Sequence, residues 1–120
     1  MTKKALFLDL DQTIITPNDG KTFPDSSNPH DWVFLEGIVD KIFDFALKGY
    51  EIFIVTNQGG IETGHITRGY FEERINSVVN SICFLTGLSK DRIKYLYCES
   101  IDKKWIVSEY YYLFCFFCFR

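Results

Sequence analysis

The sequence contains no run of the roughly 18 apolar residues that a membrane-spanning helix requires, so no such helix is expected. It has no excess of basic residues either, because 13 Lys and Arg against 16 Asp and Glu give a formal net charge of -3. This balance counts against nucleic-acid binding through a polycationic surface, but it does not exclude a local basic groove. No signal-peptide pattern precedes the short run Ala5–Leu10, so the four cysteines indicate reduced thiols. We expect a soluble intracellular protein, in the cytoplasm or the nucleus.

The chain does contain a short apolar strand that ends in two acids. Its 120 residues are enough for one domain. The run from Ala5 to Leu10 predicts a buried strand of a parallel sheet, with Asp9 and Asp11 at its carboxyl end. Unpaired buried charges are costly, and ligands of open α/β sheets bind beyond the carboxyl ends of the strands. Asp9 and Asp11 are therefore candidate site residues.

Helices and strands alternate along the rest of the chain up to Cys98. We predict a helix over 35–48, a strand over 50–55, a helix from 67 or 68 to 86 and a strand over 93–98. This order predicts an α/β fold with a parallel sheet and right-handed crossovers. Before the first helix, the turn signal Asn18-Asp19-Gly20 predicts a β-hairpin between residues 14–16 and 21–23, lying over the end of the first strand.

Polar residues also follow the second strand, where Thr56 and Asn57 precede the glycine-rich turn Gln58-Gly59-Gly60. A carboxylate becomes an effective nucleophile towards phosphate when a cation screens the negative charges and an acid protonates the leaving group. Asp9 and Asp11 could fill the roles of nucleophile and acid, because residues i and i+2 of a strand point the same way. A hydroxyl and main-chain N–H groups at the next strand end would hold the phosphoryl oxygens.

The run Asp9-Leu10-Asp11-Gln12-Thr13 resembles the first signature motif of the haloacid dehalogenase (HAD) superfamily, although that family usually has Gly where this chain has Gln12. The resemblance implies a three-layer αβα Rossmann-like fold. It also implies that Asp9 forms an aspartyl-phosphate and that Asp11 acts as general acid and then as general base. The run from Val55 to Ile61 resembles the second motif, which implies that Thr56, with Asn57, binds phosphate.

The Thr56-Asn57-Gln58 form resembles one branch of the superfamily, which holds polynucleotide kinase 3'-phosphatases, histidinol-phosphatases and heptose-bisphosphate phosphatases. The segment from Thr16 to Pro24, followed by Asp31-Trp32, is similar to the polynucleotide 3'-phosphatase pattern. The sugar-phosphate and histidinol-phosphate phosphatases usually have Arg where this chain has Leu10. This resemblance implies a phosphomonoester substrate, namely a 3'-phosphorylated nucleic-acid end.

Two parts of the HAD pattern are missing from the sequence. Lys103 or Lys104 is the candidate for the cation that screens phosphate charge after the third strand, but neither has the sequence context usual in this branch. The resemblance implies Mg²⁺ held by Asp9 and the Asp11 backbone carbonyl, completed by an acidic ligand after a fourth strand. No such acidic motif follows residue 102. We therefore expect the parallel sheet to be incomplete at its C-terminal side.

The C-terminal residues depart from the rest of the chain in composition. We assign 1–104 to a partial HAD-like domain and 105–120 to an aberrant aromatic tail, which has neither helical nor alternating periodicity. Our hypothesis is that this tail is a frameshifted translation of an AT-rich gene, which resequencing would test. The pair Cys115 and Cys118 is weak evidence for a zinc or redox site, because no second pair accompanies it.

Several other conspicuous side chains have ordinary structural interpretations. We expect His30 and His65 to be exposed loop residues, and Trp32 to belong to the core rather than to stack on a substrate. Cys83 and Cys98 are also expected in the core. The charged group Arg68, Glu72, Glu73 and Arg74 is predicted to form the solvated face of the second helix.

The function predicted from sequence is a Mg²⁺-dependent phosphomonoester hydrolase, most similar to the polynucleotide 3'-phosphatases. One alternative is a non-catalytic, truncated HAD fragment, which the missing metal acids favour. Another is a histidinol-phosphate or sugar-phosphate phosphatase, which the acidic pI near 5.3 favours. The sequence does not define the oligomeric state.

Overall fold

The structure is a computed structural model that describes residues 4–20 and 23–100. Lys103, Lys104 and the tail over 105–120 lie outside the described residues. The elements run in the order β1 (Ala5–Asp9), β2 (Ile15–Thr16), β3 (Val33–Phe34), α1 (Ile38–Leu47), β4 (Glu51–Asn57), α2 (Gly60–Thr63), α3 (Arg68–Thr86) and β5 (Ile93–Cys98). No helix among these residues is long and apolar enough to cross a membrane.

The main sheet is parallel, and its strand order is β1-β4-β5. Ala5 pairs with Glu51 and Asp9 with Val55, while β5 continues the pairing on the other side of β4 as far as Asn57 and Cys98. The predicted α/β fold with a parallel sheet is confirmed. Strand β4 lies in the centre of the described sheet and is buried along most of its length.

One face of this sheet carries both long helices. Alternate residues of the strands, such as Leu8, Ile54 and Ile93, share one apolar cluster with the inner faces of α1 and α3. The helical members of this cluster are spaced by three or four residues, as expected for amphipathic helices: Ile38, Ile42 and Ala46 in α1, and Phe71, Ile75, Val78, Val79 and Ile82 in α3. The described residues therefore contain the sheet and one of the two helical layers of the predicted αβα arrangement.

The ends of the helices follow from specific capping residues. Helix α3 begins after Thr67, whose hydroxyl accepts a hydrogen bond from the Tyr70 N–H at 3.0 Å, and ends at Gly87 with φ 79°. The predicted bounds of this helix are confirmed. Helix α1 begins at Ile38 rather than at Leu35, because Gly37 has φ 80° and cannot continue a right-handed helix.

The predicted β-hairpin around Asn18-Asp19-Gly20 is wrong in its strand pairing. These three residues form a 3-10 turn, and β2 pairs antiparallel with β3, more than a dozen residues further along the chain. The N–H of Leu35 also donates to the Ile14 carbonyl at 3.0 Å. We call the segment between β2 and β3 the flap; its described residues are 17–20 and 23–32. Both ends of the flap thus lie beside the end of β1.

Candidate active site

Asp9 ends β1 with its side chain accessible to solvent, while the next residue, Leu10, is fully buried. The Asp9 carboxylate accepts a hydrogen bond from the Leu10 N–H at 2.8 Å. Partial desolvation by the surrounding protein raises the pKa of Asp9; the Leu10 hydrogen bond opposes this shift, and the nearby Asp11 charge adds to it. The site thus presents an accessible carboxylate that is more basic than an ordinary Asp.

A tight turn carries the chain from Asp9 to Asp11. The buried Leu10 carbonyl accepts N–H groups from Ile14 at 3.0 Å and Ile15 at 3.1 Å, which fixes the turn to the core. Gln12 has φ 64°, a left-handed conformation that is uncommon for residues other than glycine. This conformation explains the usual glycine of the HAD motif at this position.

The Asp11 carboxylate is held by side chains from two other elements. One oxygen, Oδ2, accepts a hydrogen bond from the Gln58 amide at 3.1 Å, and Oδ1 lies 3.7 Å from Nη2 of Arg74. The same Gln58 nitrogen donates to the Thr56 hydroxyl at 2.8 Å. Gln58 therefore joins Asp11 to Thr56, and the sequence analysis did not assign it a role; its place directly after Thr56-Asn57 was the available signal.

Thr56 and Asn57 lie at the end of β4, beyond the point where β1 ends opposite Val55. Thr56 is buried, with 2% of its surface exposed. The Asn57 side-chain oxygen Oδ1 is also buried and has no hydrogen-bond partner within the described part of the chain. A buried acceptor without a partner is uncommon and marks a place where a ligand could supply one. The structure therefore brings Asp9, Asp11, Thr56 and Asn57 to the same end of the sheet, as the sequence predicted.

Arg74 contradicts its predicted place on the solvated face of α3. Only 2% of its surface is exposed, and its guanidinium donates to the Asp31 carbonyl at 3.2 Å. The charge of the residue suggested solvent exposure, but its position did not: Arg74 follows Phe71 by three residues and precedes Val78 by four, so it lies in the apolar stripe. Glu72 and Glu73 are exposed, as predicted, and so is Arg68, which pairs with Glu99.

The flap is anchored by the buried side chain of Asp31. Its two carboxylate oxygens accept the N–H groups of Asn18 at 3.3 Å and Asp25 at 2.8 Å. The Tyr70 hydroxyl donates to the Asp25 carbonyl at 2.7 Å, which ties the flap to α3. Trp32 packs against the core and donates to Ser77 at 2.9 Å, so its core assignment is confirmed.

Between the flap and the strand ends lies an open cavity of about 850 Å³. Asp11, Asn57, Gln58 and Arg74 contribute polar groups to its lining, and Phe23, Pro24, Ile66 and Tyr70 contribute apolar surface. His65 lies exposed at this cavity, while His30 is exposed elsewhere and contacts Glu73 at 3.2 Å. The cavity is large enough for a small phosphorylated molecule, and its mostly apolar lining carries a few polar groups.

The family model described as polynucleotide kinase 3 phosphatase matches residues 4–99. The chain belongs to this family. The match includes every described element, from β1 to β5. It also includes both acids of the first motif and the Thr56-Asn57-Gln58 segment, so the membership in the HAD superfamily inferred from sequence is confirmed.

Curated relatives of this polynucleotide kinase 3 phosphatase family member are heptose-bisphosphate phosphatases. A D-glycero-beta-D-manno-heptose-1,7-bisphosphate 7-phosphatase of Helicobacter pylori is 34% identical over 92 residues, which cover 77% of this chain and 50% of the relative. A probable D-glycero-D-manno-heptose-1,7-bisphosphate 7-phosphatase of Thermoplasma volcanium is 39% identical over 70 residues, covering 58% and 44%. The chain thus spans about half the length of the curated relatives it matches.

A solved structure has the same fold. The crystal structure of D,D-heptose 1.7-bisphosphate phosphatase from B. bronchiseptica, complexed with magnesium and phosphate, superposes with a TM-score of 0.62 at 18% identity. The superposition covers 81% of this family member and 50% of the solved chain. At this identity the likeness establishes the fold.

The oxygen atoms near Asp9 fit part of a Mg²⁺ site. Mg²⁺ prefers six oxygen ligands in octahedral geometry, often one or two carboxylates with water and substrate oxygens. The Asp9 carboxylate is accessible, and no main-chain N–H of the described residues donates to the Asp11 carbonyl. Residues 4–20 and 23–100 contain no group of three or more His, Cys, Asp or Glu side chains that could hold a metal. The described chain therefore offers two of the predicted ligands and no further carboxylate.

Proposed function

We propose that this chain carries the nucleophile, the general acid and the phosphate-binding groups of a phosphoric monoester hydrolase, acting on a sugar phosphate. The observation that carries the proposal is the convergence of Asp9, Asp11 and Thr56 at one end of the sheet, with Gln58 hydrogen-bonded to two of them. Asp11 and Gln58 line a cavity that is open to solvent.

In the first step, a carboxylate oxygen of Asp9 attacks phosphorus and forms an aspartyl-phosphate. The bond between phosphorus and the ester oxygen breaks, and Asp11 gives its proton to that oxygen, which leaves as an alcohol. In the second step, Asp11 takes a proton from water, whose oxygen attacks phosphorus. The bond between phosphorus and Asp9 then breaks, so that inorganic phosphate leaves and the Asp9 carboxylate is restored.

Thr56 and Asn57 are proposed to bind the phosphoryl oxygens during both steps. The Thr56 hydroxyl can donate its proton to phosphate while it keeps its hydrogen bond with Gln58, because in that bond the hydroxyl oxygen is the acceptor. The Asp9 carboxylate and the Asp11 carbonyl are the groups that would hold Mg²⁺, which supplies positive charge between the nucleophile and an anionic phosphate.

The substrate class rests on three observations. The curated relatives are named for heptose bisphosphates, the net charge of -3 gives no broad attraction for polynucleotides, and the cavity suits a small molecule. A polynucleotide 3'-phosphatase is the second candidate, favoured by the description of the matching family model. A non-catalytic role in binding phosphate is the alternative for a chain that spans half of its relatives.

Phosphate release with Mg²⁺ tests these candidates directly. The substrates are heptose 1,7-bisphosphate, histidinol phosphate and a 3'-phosphorylated oligonucleotide, and Asp9→Asn is the matched control. We expect the highest kcat/KM with the heptose, and a loss of several orders of magnitude in Asp9→Asn. Preference for the oligonucleotide would favour the second candidate. No release from any substrate, or equal release by Asp9→Asn, would refute the catalytic assignment.

A further inference from the structure

Arg74 is a buried cation that the proposed reaction does not yet use. Its side chain is 3% exposed, whereas that of Asp11, its partner across 3.7 Å, is 45% exposed. A buried guanidinium is costly unless charges and hydrogen bonds compensate for its lost hydration. Here, one donor is satisfied by the Asp31 carbonyl at 3.2 Å, while Nη2 is buried and has no hydrogen-bond partner among residues 4–20 and 23–100. The compensation is therefore incomplete in this arrangement.

The geometry identifies Asp11 as the acceptor for this unused donor. The distance of 3.7 Å between Nη2 and Oδ1 is within an ion pair but too long for a hydrogen bond, so a shift of less than about 1 Å would form one. Tyr70 also faces Arg74, whose charge opposes the rise in the Tyr70 pKa that desolvation causes. The Asp31 carboxylate accepts main-chain N–H groups of the flap, and the Asp31 carbonyl accepts a hydrogen bond from Arg74.

Although Arg74 contributes to the cavity lining, its Nη2 atom has less than 1 Å² of accessible surface. This nitrogen faces Oδ1 of Asp11, so the route from Nη2 to the reaction runs through that carboxylate. Gln58 holds the other oxygen of the same carboxylate at 3.1 Å. Two donors on opposite oxygens restrict the rotation of a carboxylate more than one donor does, and general acid catalysis depends on such alignment.

We propose that Arg74 is a positioning residue for Asp11, holding one oxygen of the general acid while Gln58 holds the other. This inference rests on the proposed function. It predicts that loss of Arg74 lowers kcat and leaves KM nearly unchanged. A role limited to anchoring the Asp31 carbonyl, and so the flap, would instead alter the cavity and change KM.

The kinetic experiment compares Arg74→Met, Arg74→Lys and Ser77→Ala in the full chain with Mg²⁺ and heptose 1,7-bisphosphate. Methionine fills the space without a charge, and Ser77→Ala is the control, since Ser77 bonds Trp32 and the Arg74 carbonyl but not Asp11. We expect kcat to fall about 100-fold in Arg74→Met, with KM within twofold. Lysine should recover part of the loss, because it restores a single charged donor. A rise in KM with unchanged kcat would overturn the proposal.

A second readout needs no turnover, so it remains decisive if the proposed function fails. Nitrogen-15 NMR of the arginine side chains follows hydrogen exchange at the Arg74 guanidinium in wild type, Asp11→Asn and Ser77→Ala. We expect exchange to accelerate about tenfold in Asp11→Asn, as one charged acceptor is lost, and to stay unchanged in Ser77→Ala. Equal exchange in wild type and Asp11→Asn would overturn the contact. Absence of phosphate release by wild type would refute the proposed function alone.

Discussion

Gln12 holds a strained backbone conformation between the two site acids, so replacing it with glycine should stabilise the protein. Its φ of 64° lies in the left-handed region, where a side chain approaches its own carbonyl oxygen. The side chain offers little compensation, because its contacts with the Thr16 hydroxyl are exposed and long, at 3.3 and 3.5 Å. Glycine adopts the same backbone angles without this steric cost.

The expected gain is the difference between two opposing effects. Relief of the left-handed strain contributes about 1–2 kcal/mol. The greater freedom of glycine in the unfolded chain costs about 0.4–1 kcal/mol, and the exposed hydrogen bond to Thr16 is worth little. We therefore expect Gln12→Gly to raise the free energy of unfolding by about 0.5–1 kcal/mol. This corresponds to a rise in Tm of roughly 2–5 °C for a domain of this size.

Urea unfolding followed by circular dichroism measures this difference, with Gln12→Ala as the matched control. Alanine removes the same side chain but keeps a Cβ atom, so the strain should persist and stability should not rise. The difference between the two variants isolates the backbone contribution. If Gln12→Ala and Gln12→Gly were equally stable, the strain at φ 64° would have no energetic consequence and the reasoning would be refuted.

Three further predictions follow from the same structure. In EDTA, Asp9→Asn should be more stable than wild type at neutral pH, because the raised pKa of Asp9 means that its ionised carboxylate is disfavoured in the folded state. This stability advantage should shrink as the pH falls through the pKa of Asp9. Denaturation curves that gave an equal advantage at pH 7 and pH 3 would contradict this prediction. Gly87→Ala should lower the free energy of unfolding by about 1 kcal/mol, because Gly87 has φ 79°. Gly69→Ala should raise it by about 0.5–1 kcal/mol, because Gly69 lies inside α3 and an added Cβ would make only an ordinary contact. Thermal melts in which both variants changed in the same direction would count against this account. Asp31→Leu should lower the free energy of unfolding in urea by about 2–4 kcal/mol, since it leaves the Asn18 and Asp25 N–H groups without their acceptor. A loss of stability below about 1 kcal/mol would show that the flap is anchored by other contacts.

The strands and the long helices were predictable because their signals are local. The apolar stripe Phe71, Ile75, Val78 and Ile82 and the capping Gly87 defined α3 within its own sequence, and this helix was found as predicted. The pairing of β2 with β3 was not predictable in this way, because a turn signal such as Asn18-Asp19-Gly20 carries no information about a partner further along the chain.

The candidate site was predicted in outline, and its supporting residues were missed for a physical reason. Asp9, Asp11, Thr56 and Asn57 lie at or just beyond the carboxyl ends of two paired parallel strands, so the sheet itself places them at one edge. The charge of Arg74 indicated a surface position, because its partner Asp11 lies far away in the sequence and close by only in the folded structure. Its position within the apolar stripe of α3 indicated burial, and in the structure position outweighs charge.

The register of β1 against β4 has a consequence for folding. Pairing of Ala5 with Glu51 closes a large loop, and long-range pairing of this kind should be a slow step. A slip of one residue would turn Asp9 into the apolar interior and push the fully buried Leu10 outward. Misregistered chains would thus be excluded by hydrophobic burial before any chemistry is possible. Burial of Leu10 thus fixes the position of Asp9, the proposed nucleophile.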